Sequence, residues 1–207
     1  MQAAKAAIWD PLCHYLNSSE TRTKKPKKKK VDKSNQCLIK SVTRVRLWNS
    51  NAFDALESRK PILGNVMEAL ADPDTHLIGV YGLDDEIKDT LLQRVYRRIQ
   101  KDNLFDLVLT ATVTRKPDVK KVQDELASQL GFTFRQKSID KRANELIHRI
   151  KKEHKILIVL CDLYERLDLG KVGIPYGIDH TGCEILITST TEDVLSNHMH
   201  TQKSFMV

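Results

Sequence analysis

Short apolar segments alternate with amphipathic ones from about residue 77 onward, and this alternation limits the possible folds more than any other feature of the sequence. The apolar segments are Leu77–Val80, Phe105–Val113, Lys155–Leu163 and Gly182–Thr190. They are short and rich in β-branched residues, as buried parallel strands are. Strands that alternate with helices form βαβ units, whose strands are parallel. The sequence therefore predicts an α/β fold in three layers, with four to five parallel strands and helices on both faces.

The segments between these strands carry apolar residues at helical spacing. Helices are predicted over residues 58–71, with Ser58 as the N-cap, and over residues 138–152. Another helix is predicted to begin at Pro117 and to end at Gly131, because proline suits the first turn and glycine the position after the last. The helix that follows the first strand has one apolar face, formed by Leu91, Leu92, Val95 and Ile99.

Length and composition indicate an intracellular protein with one main domain. The chain has 207 residues, of which 41% are hydrophobic. No apolar run reaches the roughly 18 residues that a membrane span needs, and no signal peptide is evident. The four cysteines form no C-x-x-C pair, which is typical of a reduced protein. We therefore expect a cytoplasmic location, no contact with membranes and, since the histidines show no metal spacing, no metal site.

The positive charge of the chain is concentrated at its beginning. Residues 1–46 hold 12 Lys or Arg and 3 Asp or Glu, so the rest of the chain is slightly acidic. We predict a short helix over residues 1–17 and a disordered basic linker over residues 18–50. The lysine run Lys24–Val31 is either a solvated linker, a nuclear-import signal or a contact for nucleic acid. Nucleic acid is the least favoured of the three, because no aromatic residues lie between the lysines.

The turn after the first strand is a variant of a phosphate-binding loop. In such loops backbone N–H groups and a helix N-terminus bind phosphate oxygens, and a lysine neutralises them. The pattern G-x-x-x-x-G-K-[ST] is met here by Gly82 and Lys88, but Ile87 replaces the second glycine and Asp89 the hydroxyl residue. Thr90 follows, and keeps a hydroxyl group near this position.

The segments around this loop resemble the NB-ARC nucleotide-binding domain of plant disease-resistance proteins of the coiled-coil, leucine-rich-repeat type. The resemblance covers residues 53–207 and includes LIGVYGL from Leu77, FDLVLTATVT from Phe105, KILIVLCDLYERLDL from Lys155 and GCEILITS from Gly182. It implies a P-loop NTPase-like fold with strand order 5-1-4-3-2, in which residues 205–207 cover the strand that leads to the loop. It also implies a switch that binds ADP or ATP in the defence response, with Gly82, Lys88, Asp89 and Thr90 as the cofactor-binding residues.

Several positions depart from the family pattern. The glycines of the family fall at Asp84, Asp85 and Ile87, its Mg²⁺-binding carboxylate at Cys161, and its phosphate-sensing arginine at Thr190. Asp162 remains where the carboxylate that activates water would lie. Glycine suits such a loop because the backbone approaches phosphate closely, whereas Ile87 is β-branched.

These departures predict weak or absent nucleotide binding and no catalytic residue, with Asp162 assigned a role only if the site is active. We expect Asp84 or Asp85 to cap the following helix, so that a side-chain carboxylate supplies the negative charge that a nucleotide phosphate would otherwise supply. A metal site built from the acidic residues of the loop is the less favoured interpretation.

The leading hypothesis is a truncated NB-ARC domain, without the coiled-coil domain, helical subdomains and leucine-rich repeats, that acts as a protein-interaction fragment. Its expected partners are other proteins, including other resistance proteins with which it would self-associate. Two alternatives are a weak P-loop nucleotidase that uses Lys88 and Asp162, and a nuclear protein with a basic tail.

Overall fold

The computed structural model describes residues 60–207, and their side chains from residue 61. Predictions for residues 1–17, residues 18–50, Lys24–Val31 and the Ser58 cap lie outside the described residues. The elements are α1 (Lys60–Ala71), β1 (Leu77–Tyr81), α2 (Asp85–Asp102), β2 (Leu107–Thr112), α3 (Val119–Gln129), α4 (Ile139–Ile150), β3 (Ile156–Leu163), α5 (Leu169–Val172), β4 (Cys183–Ser189), a π-helical turn (Val194–His198) and β5 (Lys203–Met206).

The five strands form one parallel sheet in the order β2-β3-β4-β1-β5. This confirms both the parallel sheet and the strand order that the resemblance implied. The strand β4 lies between β1 and β3, and Gly79 pairs with Ile187 on one side and with Ser204 on the other. The loop after β1 and the end of β3 are therefore separated by the width of one strand.

Helices cover both faces of the sheet, as predicted. On one face α3 and α4 pack on the strands through Leu126 and Leu146, and on the other α1 and α2 pack through Val66 and Leu91. The side chains of β3 alternate between these two layers, because successive residues of a strand point to opposite faces. Ile156, Ile158 and Leu160 lie in the first layer, and Leu157 and Val159 in the second.

The predicted start of α3 at Pro117 is wrong by two residues. The helix begins at Val119, and Asp118 is its N-cap, with a carboxylate that accepts hydrogen bonds from the N–H groups of Lys120 and Lys121. A carboxylate that caps two N–H groups fixes the start of the helix more strongly than the φ angle of proline does. Gly131 has φ +78° and follows the last helical turn, as its sequence position indicated.

The last three predicted strands are too long by one or two residues at one or both ends, whereas the first, predicted to end at Val80, is one residue too short because β1 includes Tyr81. For example, the segment Phe105–Val113 forms a strand only over Leu107–Thr112. Phe105 lies in the segment before β2 but packs on the core, so its apolar side chain made the predicted strand too long. Among the described residues, no helix is both long enough and apolar enough to cross a membrane.

Candidate functional site

The candidate site lies at the carboxyl edge of the sheet, where β1 ends and α2 begins. Gly82 follows β1 directly, and its N–H donates to the carbonyl oxygen of Ser189 in β4, at 3.2 Å. A Cβ atom at Gly82 would lie 2.7 Å from the carbonyl oxygen of Val207, so only glycine fits between the strand end and this residue. Leu83 then turns outward and is 87% exposed.

Asp84 is the N-cap of α2, which confirms the prediction that an aspartate of this loop would cap the helix. Its Oδ1 atom accepts hydrogen bonds from the N–H groups of Glu86 and Ile87, at 2.9 and 3.2 Å. The carbonyl oxygen of Asp84 accepts from the N–H of Lys88 at 3.2 Å. The last of these is the first regular bond of the helix, whereas the N–H groups of Glu86 and Ile87, of the kind that a phosphate would use, are bonded to a side chain of the chain itself.

Lys88 is buried, and its ammonium group has three acceptors within the chain. The Nζ atom lies 2.8 Å from the carbonyl oxygen of Gly82 and 3.2 Å from that of Ser189. It also lies 2.9 Å from Oδ1 of Asp85, whose side chain is mostly exposed. An ammonium group has three N–H donors, so these contacts account for its full donor capacity.

The two residues after Lys88 lie in the first turns of α2. The hydroxyl of Thr90 donates to the carbonyl oxygen of Glu86 at 2.8 Å, within the helix itself. Asp89, the residue before Thr90, is half-buried. The structure thus brings Gly82 and Lys88 together. The hydroxyl of Thr90 instead donates to a carbonyl oxygen of α2.

Tyr81, the last residue of β1, extends the site toward the segment after β4. Its hydroxyl donates to Oε2 of Glu192 at 3.1 Å. Desolvation of the phenol, with this carboxylate as the second cause, raises the pKa of Tyr81. The hydroxyl therefore remains a hydrogen-bond donor at neutral pH.

The end of β3 contains an irregularity at Asp162. In the pairing of β3 with β4, Leu160 lies opposite Ile187 and Leu163 lies opposite Ser189, so β3 has one extra residue. Asp162 occupies this bulge with φ +60°, and its N–H donates to the hydroxyl of Thr188 at 3.0 Å. Bulges of this kind redirect a side chain at the end of a strand, and aspartate tolerates the left-handed conformation better than most residues.

Cys161 and Thr190 occupy the two other positions at which the resemblance implied functional groups. Cys161 lies opposite Thr112 of β2 and is half-buried, with its thiol side packed on the α1–α2 layer. Thr190 is the first residue after β4 and is also half-buried. Within residues 61–207, no three His, Cys, Asp or Glu side chains come together as a set of metal ligands.

Sequence reasoning missed Ser189, which connects the parts of this site. Its hydroxyl donates to the carbonyl oxygen of Leu163 at 2.8 Å, and its own carbonyl oxygen accepts from Gly82 and Lys88. The strand order was the signal that could have found it. Placing β4 beside β1 puts the end of β4 next to the loop.

A family model for the NB-ARC domain matches residues 59–207 of the chain. The chain belongs to the NB-ARC family. Among curated proteins, the disease resistance protein RPS5 of Arabidopsis thaliana is 29% identical over 137 residues, which is 64% of this chain and 15% of RPS5. The disease resistance protein RFL1 of the same plant is 27% identical over 137 residues, with the same coverage of both chains. This NB-ARC chain thus spans less than a fifth of the length of either relative.

The fold of this NB-ARC chain also occurs among solved structures. A structure of Drosophila ORC bound to AT-rich DNA and Cdc6 superposes with a TM-score of 0.52 at 12% identity, and covers 82% of this chain and 59% of that chain. At this identity the likeness concerns the fold alone. It agrees with the α/β fold that the sequence predicted.

Proposed function

We propose that side chains of this NB-ARC chain make the bonds within its phosphate-binding loop that a phosphate would otherwise make. The chain therefore binds ADP or ATP weakly or not at all, and acts through contacts with other proteins. The observation that carries the proposal is the position of Lys88. In a phosphate-binding loop the lysine donates to phosphate oxygens. Here its ammonium group donates to Gly82, Ser189 and Asp85.

The helix N-terminus supports the same conclusion. A phosphate group would have to displace the carboxylate of Asp84 from the N–H groups of Glu86 and Ile87. It would also meet the negative charges of Asp84, Asp85 and Glu86. At about 6 Å and an effective dielectric of about 20, each such charge opposes a unit negative charge by roughly 2–3 kcal/mol. The residues present therefore do not fit a nucleotide phosphate in the manner of an intact loop.

The residues at the strand ends support the absence of hydrolysis. Nucleotide hydrolysis in this fold class uses a carboxylate that binds Mg²⁺ and a group that stabilises the terminal phosphate. Cys161 and Thr190 occupy the positions of the Mg²⁺-binding carboxylate and the phosphate-sensing arginine, so neither a carboxylate nor a guanidinium is present there. We derive no catalytic step for this site.

A role in protein contacts is supported by the apolar side chains beside the loop. Leu83 is 87% exposed, and Met206 of the edge strand β5 is 63% exposed. Met206 pairs with Tyr81, two residues before Leu83, so both side chains lie near the carboxyl ends of the adjacent strands β1 and β5. The partners that this proposal expects are disease resistance proteins of the NB-ARC family.

Titration of the full chain with fluorescent ADP, with and without Mg²⁺, tests the proposal. We expect no saturable binding below about 10 µM, since the donors of the loop are already bonded. The matched control is the variant with Asp84→Gly, Asp85→Gly, Ile87→Gly and Asp89→Thr, which restores the glycines and the hydroxyl. If the four substitutions leave the fold intact by circular dichroism, the restored loop should bind ADP more tightly than the unaltered chain. Saturable binding by the unaltered chain in this range would overturn the proposal.

The second candidate function is a weak nucleotidase that uses Lys88 and Asp162. The observation that favours it is the bulge, which gives Asp162 a left-handed backbone at the carboxyl edge of the sheet. Strained conformations are frequent at active sites. Phosphate release from ATP that disappears in the Asp162→Asn variant would support this candidate against the first.

A further inference from the structure

A second group of ionisable side chains lies at the opposite, amino-terminal edge of the sheet. His76 directly precedes β1, and Glu184 is the second residue of β4. Nδ1 of His76 lies 3.3 Å from Oε2 of Glu184, and the two side chains are only 16% and 10% exposed. Neither of these two buried atoms makes a hydrogen bond of good geometry. The stability of a buried polar pair of this kind depends on whether a proton lies between its two atoms.

The pair lies where three parts of the fold meet. The N–H of Ile185 donates to the carbonyl oxygen of His76 at 2.8 Å, which joins the start of β1 to β4. The side-chain oxygen of Gln202, just before β5, accepts from the N–H groups of His76 and Leu77 at 2.6 and 2.9 Å. The position of His76 therefore determines how the start of β1 is attached on both sides.

Other charged groups face the pair from the neighbouring elements. Asp72, at the end of α1, is bonded to Lys203 of β5 at 2.8 Å. The hydrogen bond from Lys203, with those from Thr75 and the N–H of Asp74, holds the pKa of Asp72 well below its usual range. Asp72 therefore stays negatively charged beside Glu184 at neutral pH and in mildly acidic or mildly basic solution.

Three further described residues lie close to Glu184 along the chain or across the sheet, namely Cys183, Leu157 and His180. Burial raises the pKa of the adjacent Cys183 thiol to about 12, and Leu157 lies beside Glu184 in β3. His180, in the turn before β4, has a buried Nε2 atom without a hydrogen bond. Burial, with Asp72 as the second cause, raises the pKa of the Glu184 carboxyl to about 7.

We propose that the His76–Glu184 pair makes the attachment of β1 to β4 and β5 at this edge depend on pH, firm when the pair holds a proton and loose when the proton is lost. When the proton leaves, a carboxylate remains buried opposite His76 and close to the negative charge of Asp72. Opening of this edge brings that carboxylate into water, so ionisation favours the open form. The strand β1 leads directly to the loop at Gly82, so this attachment fixes the strand that carries the candidate site.

The direction of the pH effect follows from linkage. A carboxyl group whose pKa is raised in the folded state contributes stability that is fully present below its ordinary value of 4.5, and that is lost as the pH rises through about 7. These two values predict that the local opening constant increases about tenfold between about pH 6 and about pH 8.

Amide hydrogen exchange on the full chain, followed by NMR at pH 6 and pH 8, tests the proposal. After division by the intrinsic exchange rates, the protection of the Ile185 and Leu77 amides should fall about tenfold at the higher pH. The variant Glu184→Gln has no charge to gain, and its protection at these amides should be the same at both pH values. If Glu184→Gln keeps the full change, the proposal is wrong.

Two further variants show whether the effect belongs to this pair. Glu68→Gln, on an exposed position of α1, makes the same change of charge and should keep the tenfold effect. His76→Ala lets water reach the Glu184 carboxylate, so the effect should shrink toward that of Glu184→Gln. A full tenfold effect in His76→Ala would overturn the role of the pair. The proposal would also be wrong if the amides of β2 in the unaltered chain lost as much protection at pH 8, because that would indicate global unfolding.

Discussion

Replacing Lys88 with methionine would show whether this lysine stabilises the fold or is reserved for a ligand. In a loop that binds phosphate, the lysine donates to the ligand, and its loss weakens binding with little effect on the fold. In this chain the ammonium group is buried and donates to two carbonyl oxygens and to Asp85. Methionine keeps the length and the apolar part of the side chain, so the substitution removes mainly the donor.

The expected loss of stability follows from the individual contacts. The carbonyl oxygen of Gly82 loses a bond from a charged donor, of a kind that contributes about 1.5–3 kcal/mol. The carbonyl oxygen of Ser189 still accepts from the N–H of Gly82. Asp85 is 68% exposed and returns to water at little cost. Since methionine also avoids the desolvation of an ammonium group, we expect the free energy of unfolding to fall by about 1–2 kcal/mol.

Urea denaturation of the full chain without nucleotide measures this loss directly. Lys141→Met is the matched control, because Lys141 is exposed on α4 and its replacement should change stability by less than about 0.5 kcal/mol. If Lys88→Met is as stable as the control while the unaltered chain binds ADP, then Lys88 serves a ligand, and our account of the loop is incorrect.

The remaining predictions concern helix capping and glycine positions, and both are measured by the same urea denaturation. Asp84→Ala removes the cap of α2 and should lower the free energy of unfolding by about 1–2 kcal/mol, whereas Asp84→Ser should retain most of the stability; equal losses in both variants would contradict the capping role. Gly173 has φ +92°, and a Cβ atom there would lie 2.5 Å from the carbonyl oxygen of Ala143, so Gly173→Ala should destabilise the chain by more than about 2 kcal/mol. Gly64 lies inside α1 with open space around its Cα, so Gly64→Ala should instead stabilise the chain by about 0.5–1 kcal/mol.

The parts of the fold that could be predicted from the sequence are those determined by neighbouring residues. The buried strand at Ile156–Leu163 and the cap at Asp84 depend on apolar runs and on contacts within three residues. The strand order could be stated in advance only because the flanking segments resemble a known family. Periodicity alone indicates that the sheet is parallel, and leaves its order open.

The details that escaped prediction depend on residues far apart in the chain, or on two local signals that compete. The bond from Lys88 to the carbonyl oxygen of Ser189 joins positions 101 residues apart, so no local pattern indicates it. The bulge at Asp162 arises from the pairing of β3 with β4, and apolar composition gives no sign of it. At the start of α3, Pro117 and the carboxylate of Asp118 favour different first residues, and the proline pattern alone indicates the wrong one.

The position of Ser189 has a mechanical consequence for any protein that binds this domain. One residue joins the turn at Gly82 to the last carbonyl oxygen of β3 through its own two polar groups. If one segment moves while the other stays in place, at least one of these hydrogen bonds must break. A partner that binds the exposed Leu83 and moves the turn would therefore also act on the end of β3, on the far side of β4.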